Sequence, residues 1–237
     1  MKIAYLSLGL LFLCQILFAR DVGSLHFQRT LDIYRTIINV DTSKTKNNTV
    51  KVARYLAGQL KENGFNSDLI KIIPVEEFAT LIVQYPAHNP TLRPMLILGH
   101  LDVVEALESD WVRPPFELTE DETYYYARGS IDNKFGVAHL VSTFIRLKQE
   151  EFSPNRDIFL VFSGDEESYM RTTRMLANDV PELSSAEFAL NSDAGGGDLD
   201  SDGNALLYNL QTAEKTYATW EITVRNPGGH SSRPRLD

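Results

Sequence analysis

Cysteine is nearly absent from this sequence, which has one residue of that type, Cys14, among 237. Cys14 lies in an N-terminal segment that we expect to be removed, so the mature chain would carry no thiol. This excludes disulfide crosslinks and a structural zinc site built from cysteine. A metal site in this chain would have to use histidine and carboxylate ligands.

Basic residues are also few, with 23 Lys and Arg against 32 Asp and Glu and a formal net charge of -9. The sequence has no local cluster of basic residues that would offset this excess of acids. An acidic protein repels the phosphate backbone, so the composition argues against a nucleic acid partner.

Long apolar runs are rare as well, and one of them is at the N-terminus. It extends from Ile3 to Cys14, follows the single charge of Lys2 and precedes the small residue Ala19. The run is short for a membrane span of about 20 residues. The pattern therefore predicts a signal peptide over residues 1–19 and a secreted or periplasmic protein, with an uncleaved membrane anchor as the alternative.

Helical and strand patterns alternate along the next part of the chain. Apolar residues at helical spacing predict helices over 25–40, 50–60, 134–149 and 170–180, and apolar runs predict strands over 69–73, 78–85, 95–98, 156–162 and 188–190. This alternation predicts an α/β domain with a mainly parallel sheet, whose functional groups collect at the carboxyl ends of the strands.

The character of the sequence changes near Gly195, where glycines and acids are followed by apolar segments over 206–210 and 216–224 that we expect to be strands. We predict an incomplete catalytic α/β domain over 20–205 and the start of a small, truncated α+β lid domain over 206–237. The chain is thus expected to be a fragment of a longer protein.

The acidic segment Asp198–Gly203 matches the opening of a calcium-binding loop. However, Asn209 stands where such a loop needs its bidentate glutamate. The segment is better interpreted as a polar loop between domains.

Six polar side chains follow predicted strands or precede a predicted helix: His100, Asp102, Asp132, Glu166, Glu167 and Asp193. An imidazole with several carboxylates suits Zn²⁺, Mn²⁺ or Co²⁺, and the carboxylates outnumber the needs of one ion. Two ions roughly 3.5 to 4 Å apart could share a carboxylate and hold a bridging hydroxide, while one of two adjacent glutamates acts as a base. Taken singly, these acids could equally be a helix cap, a loop acid and a solvated first helical turn.

Five motifs then establish a resemblance to a known family. GHLDVV, ARGSIDNKFG, FSGDEES, NSDAGGG and NPGGHSSRP occur in this order between Gly99 and Pro234. They resemble the co-catalytic zinc metallopeptidases that include glutamate carboxypeptidase, aminoacylase, succinyl-diaminopimelate desuccinylase and peptidase T. The resemblance implies a catalytic α/β domain interrupted by a smaller lid domain, which often forms a homodimer.

The same resemblance implies a ligand set for two zinc ions. His100 and Asp193 would bind one ion and Glu167 the other, with Asp132 bridging both. The second zinc's histidine normally comes from a C-terminal part of the catalytic domain that this chain does not reach. We therefore expect weak binding of the second ion and little or no activity from these residues alone.

Three further residues receive roles from the resemblance. Asp102 would orient or tune the histidine ligand, and Glu166 would be the general base that activates the bridging water. His230 would reach an active site from the lid and stabilise the oxyanion. Asn133 replaces a frequent second acid of the family without removing a ligand.

The sequence therefore predicts a dinuclear zinc hydrolase that cleaves amide bonds in small peptides, as an exopeptidase of the carboxypeptidase or dipeptidase kind. An N-acyl-amino-acid deacylase is the alternative enzyme, because the same site can hydrolyse either amide. A non-catalytic binding module on the same fold is the alternative from another class. Glu166 argues against it, since a binding protein needs no base beside its metal ligands.

Overall fold

The structure is a computed structural model that describes residues 25–193, 196–213, 215–225, 228–230 and 232–233. The chain divides into two compact units, Met1–Ala194 and Gly195–Asp237. The predicted signal peptide lies outside the described residues, and the predicted domain boundary after residue 205 stays a prediction. Among the described helices, none combines the length and apolar character needed to span a bilayer.

The first unit begins with two helices and a run of strands, after which helices and strands alternate. In chain order its elements are α1 (25–38), α2 (Thr49–Glu62), β1 (Ile70–Val75), β2 (Phe78–Tyr85), β3 (Met95–His100), β4 (Thr119–Glu120), β5 (Tyr125–Tyr126), α3 (Lys134–Gln149), β6 (Ile158–Ser163), α4 (Arg171–Asp179), α5 (Pro181–Ser184) and β7 (Phe188–Asn191). Two 3₁₀ helices cover Ser67–Leu69 and Glu108–Asp110. The predicted helices and strands of this unit are all present, with ends that differ by a few residues.

Five of the strands form one sheet in the order β1-β2-β6-β3-β7. β3 is parallel to both β6 and β7, whereas β2 is antiparallel to its two neighbours. Four strands therefore run in one direction, which confirms the predicted mainly parallel α/β fold. His100, the last residue of β3, lies opposite Ser163 at the end of β6. The carboxyl ends of three adjacent strands thus share one edge, where open α/β sheets place their functional groups.

Helices cover both faces of this sheet. Alternate residues of β6 point to opposite faces, so Leu160 and Phe162 join a large core with α1, α2 and α3, while Phe159 and Val161 join a smaller core with α4 and α5. A strand buried on both faces needs apolar residues at every position, which explains why β6 reads as a continuous apolar run.

The second unit contains a hairpin of β8 (Gly196–Leu199) and β9 (Ala205–Asn209). The turn between them includes Asp200, whose carboxylate accepts hydrogen bonds from the backbone N–H groups of Asp202 (2.9 Å) and Asn204 (2.8 Å). The acidic segment is therefore the end of β8 and a polar hairpin turn within the second unit, rather than a loop between domains.

The predicted strand over 216–224 is wrong for the described residues. Residues 215–225 have no regular secondary structure, and their apolar side chains are exposed, as at Trp220 (85%) and Ile222 (87%). A strand gains stability from a neighbour that pairs with its backbone and covers its side chains. Alternating apolar residues predict a strand only where such a neighbour is present.

Candidate metal centre

His100 lies at the centre of the site, at the end of β3, and is 1% exposed. Its Nδ1 atom is 3.0 Å from the backbone carbonyl oxygen of Asp102. A carbonyl oxygen only accepts, so Nδ1 carries a hydrogen, and release of the proton on Nε2 would leave Nε2 as the ligand atom for a metal. Nε2 is 2.8 Å from Oδ1 of Asp132 and 3.4 Å from Oδ1 of Asp193. Three segments of the chain therefore converge on one imidazole.

Asp102 is buried beside this histidine, and its carboxylate organises the glutamate loop that follows β6. Oδ1 accepts a hydrogen bond from the backbone N–H of Glu166 at 3.0 Å, and Oδ2 accepts one from that of Glu167 at 2.9 Å. Oδ1 is also 3.4 Å from Nδ1 of His100. The family resemblance predicts that Asp102 orients the histidine, and this role stays a prediction. The structure shows that its carboxylate accepts hydrogen bonds from both glutamate backbones.

The start of the glutamate loop is anchored by Asp165, which sequence reasoning missed. Asp165 is fully buried and accepts hydrogen bonds from the backbone N–H groups of Arg171 (2.8 Å) and Thr172 (2.9 Å) at the start of α4. Gly164 before it passes so close to β2 that an added Cβ would lie 2.2 Å from the carbonyl oxygen of Ala79. The loop is thus held from both sides, and only glycine fits at its entrance. Asp165 stands six residues before the first residue of α4, outside the N-cap position where a short polar side chain signals a helix start, so the sequence pattern did not reveal it.

Asn133 connects the aspartate before α3 to the neighbouring strand ends. It is 1% exposed, and its Oδ1 accepts hydrogen bonds from the backbone N–H of His100 (3.2 Å) and the hydroxyl of Ser192 (3.2 Å). Asp132 directly precedes Asn133 in the sequence, and Asp193 directly follows Ser192. The asparagine therefore fixes the two aspartates relative to the histidine, a role that its place in the motif did not reveal.

Six of the predicted site residues are brought together by these contacts. The residues form two groups of potential metal ligands, and within each group the ligand atoms lie within 4.8 Å of one another. One group is His100, Glu166 and Asp193, and the other is His100, Asp132 and Glu167. One nitrogen and several carboxylate oxygens form a donor set that suits Zn²⁺, Mn²⁺ or Co²⁺. These donors fit a metal centre. His100 belongs to both groups, so the two groups lie next to each other.

Charge is concentrated at this site. Burial lowers the pKa of His100, but hydrogen bonds to Asp102 and Asp193 and the charges of these acids outweigh it and raise the pKa to about 11. Burial, followed by the charges of nearby carboxylates, raises the pKa of Glu166 and Glu167, and the positive His100 opposes both shifts. An acid cluster that retains protons in this way is suited to a cation, and cation binding would release protons.

A buried lysine lies at the start of α3, behind the cluster. Lys134 is fully buried, and its ammonium donates a hydrogen bond to the carbonyl oxygen of Val40 at 2.7 Å. Burial lowers its pKa to about 7, against the opposing charges of Asp41 and Asp102. This residue was not singled out in the sequence, because a lysine at a helix start is usually solvated.

Two cavities open onto the cluster. A cleft of about 410 Å³ contacts His100, Glu166 and Asp193, and its walls are largely aliphatic residues of β3, β6, α4 and α5. A smaller pocket of about 170 Å³ contacts Asp132 and Glu167 and is lined by the 127–131 loop. Each group of potential ligands therefore has its own opening.

His230 belongs to the second unit, where it is exposed and its Nδ1 lies 2.8 Å from the hydroxyl of Ser232. Its predicted role at the active site stays a prediction.

The model of peptidase family M20/M25/M40 matches residues 96–216, which is half of the chain. The chain belongs to this family. The matched M20 segment contains every residue of the cluster, from the end of β3 to Asp193. The family resemblance inferred from the five motifs is confirmed.

Similar proteins extend the match over most of the chain. A probable succinyl-diaminopimelate desuccinylase of Staphylococcus aureus is 29% identical over 201 residues, covering 82% of this chain and 44% of that protein. The human N-fatty-acyl-amino acid synthase/hydrolase PM20D1 is 29% identical over 205 residues, covering 84% of this chain and 40% of that protein. The chain thus spans less than half the length of these relatives.

Among solved structures, the M20 family metallo-carboxypeptidase Sso-CP2 from Sulfolobus solfataricus superposes with a TM-score of 0.61 at 21% identity. The match covers 73% of this chain and 38% of that one. At this identity the similarity shows the fold alone, and the fold is that of an M20 catalytic domain.

Proposed function

We propose that this chain carries the metal-binding core of a dinuclear zinc-dependent hydrolase that cleaves amide bonds, acting as an exopeptidase of the carboxypeptidase or dipeptidase kind. The observation that carries the proposal is the arrangement of four carboxylates around the buried His100. Membership of the M20 family and similarity to a metallo-carboxypeptidase support it. We keep His100 and Asp193 as ligands of one ion, Glu167 as a ligand of the other and Asp132 as the bridge.

Three residues of the chain would have separate roles in hydrolysis. Bound zinc would polarise the amide carbonyl and make a water molecule more acidic. Glu166 would take the proton of that water and pass it to the leaving amine, for which its raised pKa is suited. Asp102 would keep the imidazole and both glutamate backbones in place. His230 would supply a donor to the developing oxyanion from the lid.

An N-acyl-amino-acid deacylase is the second candidate, and one observation favours it. The aliphatic cleft beside Glu166 and Asp193 could hold an apolar acyl chain. The relatives named a desuccinylase and an N-fatty-acyl-amino acid synthase/hydrolase are consistent with such substrates. Secretion, and a homodimer formed through the lid domain, also remain proposals that rest on the sequence pattern.

The test compares Glu166→Ala with Glu167→Ala in the zinc-loaded protein, extended to the length of its relatives. Both side chains are partly buried on the same loop, so they form a matched pair. Glu166→Ala should abolish hydrolysis and leave two zinc ions per chain by elemental analysis, whereas Glu167→Ala should lose an ion. Loss of both ions in Glu166→Ala would contradict its role as the base, and absence of metal from the unaltered protein would overturn the hydrolase proposal.

A further inference from the structure

A buried hydroxyl supports the segment that carries the histidine of the metal centre. Thr42 lies in the loop between α1 and α2, and its Oγ1 donates a hydrogen bond to the carbonyl oxygen of Leu101 at 2.8 Å. That oxygen belongs to the peptide group between Leu101 and Asp102, directly after His100. Thr42 and Leu101 are both fully buried, so water does not compete for this carbonyl. The hydroxyl therefore restrains the rotation of one peptide plane beside the metal centre.

The orientation of this peptide plane determines where two groups of Asp102 lie. The carbonyl oxygen of Asp102 is 3.0 Å from Nδ1 of His100, and its carboxylate accepts the backbone N–H groups of Glu166 and Glu167. Rotation of the preceding peptide plane would move the carbonyl and the carboxylate together. A carbonyl that accepts from the second ring nitrogen orients a histidine ligand. The hydrogen bond from Thr42 thus acts on the histidine and on the glutamate loop through a single residue.

The loop between α1 and α2 is itself held by contacts to neighbouring segments. Ser43 forms a parallel β-bridge with Val103. The backbone N–H and the hydroxyl of Thr45 donate to the two carboxylate oxygens of Glu105, at 3.0 and 3.1 Å. The buried ammonium at the start of α3 donates to a carbonyl oxygen at the start of the loop. None of these contacts uses a proposed metal ligand, so the loop can support the site before an ion binds.

We propose that Thr42 is a positioning residue of the metal centre, whose hydrogen bond to Leu101 holds His100 and Asp102 in the geometry that binds zinc. This inference rests on the proposed function, which assigns these residues to a zinc centre. Residues that orient metal ligands typically change metal affinity by about tenfold to a hundredfold. Thr42 acts through Asp102 and is one step further from the ion, so we expect the lower end of that range.

The test measures zinc affinity by competitive titration, and stability by urea titration, in the protein extended to the length of its relatives. Thr42→Val keeps the shape of the side chain and removes the hydroxyl, so it should weaken zinc binding about tenfold. Thr42→Ser keeps the hydroxyl and removes a buried methyl group, so it should be less stable but bind zinc as the unaltered protein does.

Thr80→Val is the matched control for the loss of a buried hydroxyl. Thr80 is also fully buried, and its hydroxyl donates to the carbonyl oxygen of Ile73 at 3.5 Å, within the β1–β2 hairpin. This variant should leave zinc affinity unchanged. Absorption spectra of the Co²⁺-loaded proteins give a second readout, because they depend on the geometry of the metal ligands. Thr42→Val should change the cobalt spectrum, whereas Thr42→Ser and Thr80→Val should not.

If the valine variant does not fold, Thr42→Ala is compared with Thr42→Ser, since these two differ only in the hydroxyl. Weaker zinc binding in the variant without the hydroxyl supports the proposal. Equal zinc affinities with and without the hydroxyl would overturn it, because the side chain would then have a structural role alone. A protein that binds zinc and hydrolyses amides but is insensitive at Thr42 loses only this inference. A protein that binds no zinc loses the proposed function as well.

Discussion

The substitution Asp102→Asn isolates the residue that connects the histidine to both glutamates. An asparagine keeps one carbonyl oxygen but replaces the other by an NH₂ group, which cannot accept a hydrogen bond. One of the backbone N–H groups of Glu166 and Glu167 would then face a donor at about 3 Å. The side chain is 2% exposed, so water cannot replace the lost acceptor.

The expected cost follows from this geometry. A hydrogen bond to a buried charged group contributes about 1.5 to 3 kcal/mol, and the relief of charge repulsion in the metal-free cluster offsets part of its loss. We expect the free energy of unfolding to fall by about 2 kcal/mol, which for a protein of this size lowers the melting temperature by roughly 4 to 8 °C. Zinc affinity should fall by about tenfold to a hundredfold, as for other residues that orient metal ligands.

The assay is thermal unfolding followed by circular dichroism, with a chelator and with zinc, together with competitive zinc titration. Asp121→Asn is the control, because the carboxylate of Asp121 also accepts two backbone N–H groups, those of Thr123 and Tyr124 at 2.9 Å, but on an exposed hairpin. It should leave zinc affinity unchanged. If Asp102→Asn matches the unaltered protein in both melting temperature and zinc affinity, the organising role of Asp102 is refuted.

Two further predictions follow from the glutamate loop. Gly164→Ala should lower the free energy of unfolding, measured by urea titration, by about 1 to 3 kcal/mol, because the added Cβ would overlap the carbonyl oxygen of Ala79. The control is Gly58→Ala in the interior of α2, where the added Cβ has open space and should raise the free energy of unfolding by about 0.5 to 1 kcal/mol. Equal effects of the two substitutions would contradict the close packing of Gly164 against β2. In the chelated protein, Glu166 and Glu167 bind protons more tightly when folded, so their contribution to stability is fully present below their ordinary pKa of 4.5 and is lost as the pH rises through the raised values. Urea titrations at a series of pH values across this range should show the free energy of unfolding falling as the pH rises. Substitution of both glutamates by Gln should reduce this dependence on pH. The same dependence in the double variant would contradict the raised pKa values.

The sequence predicts those features of the fold and site that depend on residues close together in the chain, and it does not predict contacts between distant residues. The bounds of α3 and β2 are those predicted, because apolar spacing within one element determines them. The convergence of the acids followed from strand ends that share an edge. By contrast, the hydrogen bond that the backbone N–H of Glu166 donates to the carboxylate of Asp102 joins residues 64 apart, and no local pattern encodes it.

The wrong strand prediction and the missed Asp165 have the same cause, because both depend on contacts outside the local sequence pattern. The exposed segment over 216–224 has the alternation of a strand but no neighbour among the described residues, and alternation cannot supply one. Asp165 accepts the first backbone N–H groups of α4 from several residues before that helix, so its distance in sequence hid its role.

The spacing of the proposed ligands along the chain has a consequence for folding. His100, Asp132, Glu167 and Asp193 are separated by loops of about 25 to 35 residues, and no residue after Cys14 can form a disulfide. Two ions held by these side chains and joined through Asp132 would close three loops, as a set of crosslinks would, and each closure would remove freedom from the unfolded chain. Since the unfolded chain offers no preformed site, the free energy of the proposed metal binding would become free energy of folding. Availability of the ion would then determine how much of this acidic chain survives unfolding and proteolysis.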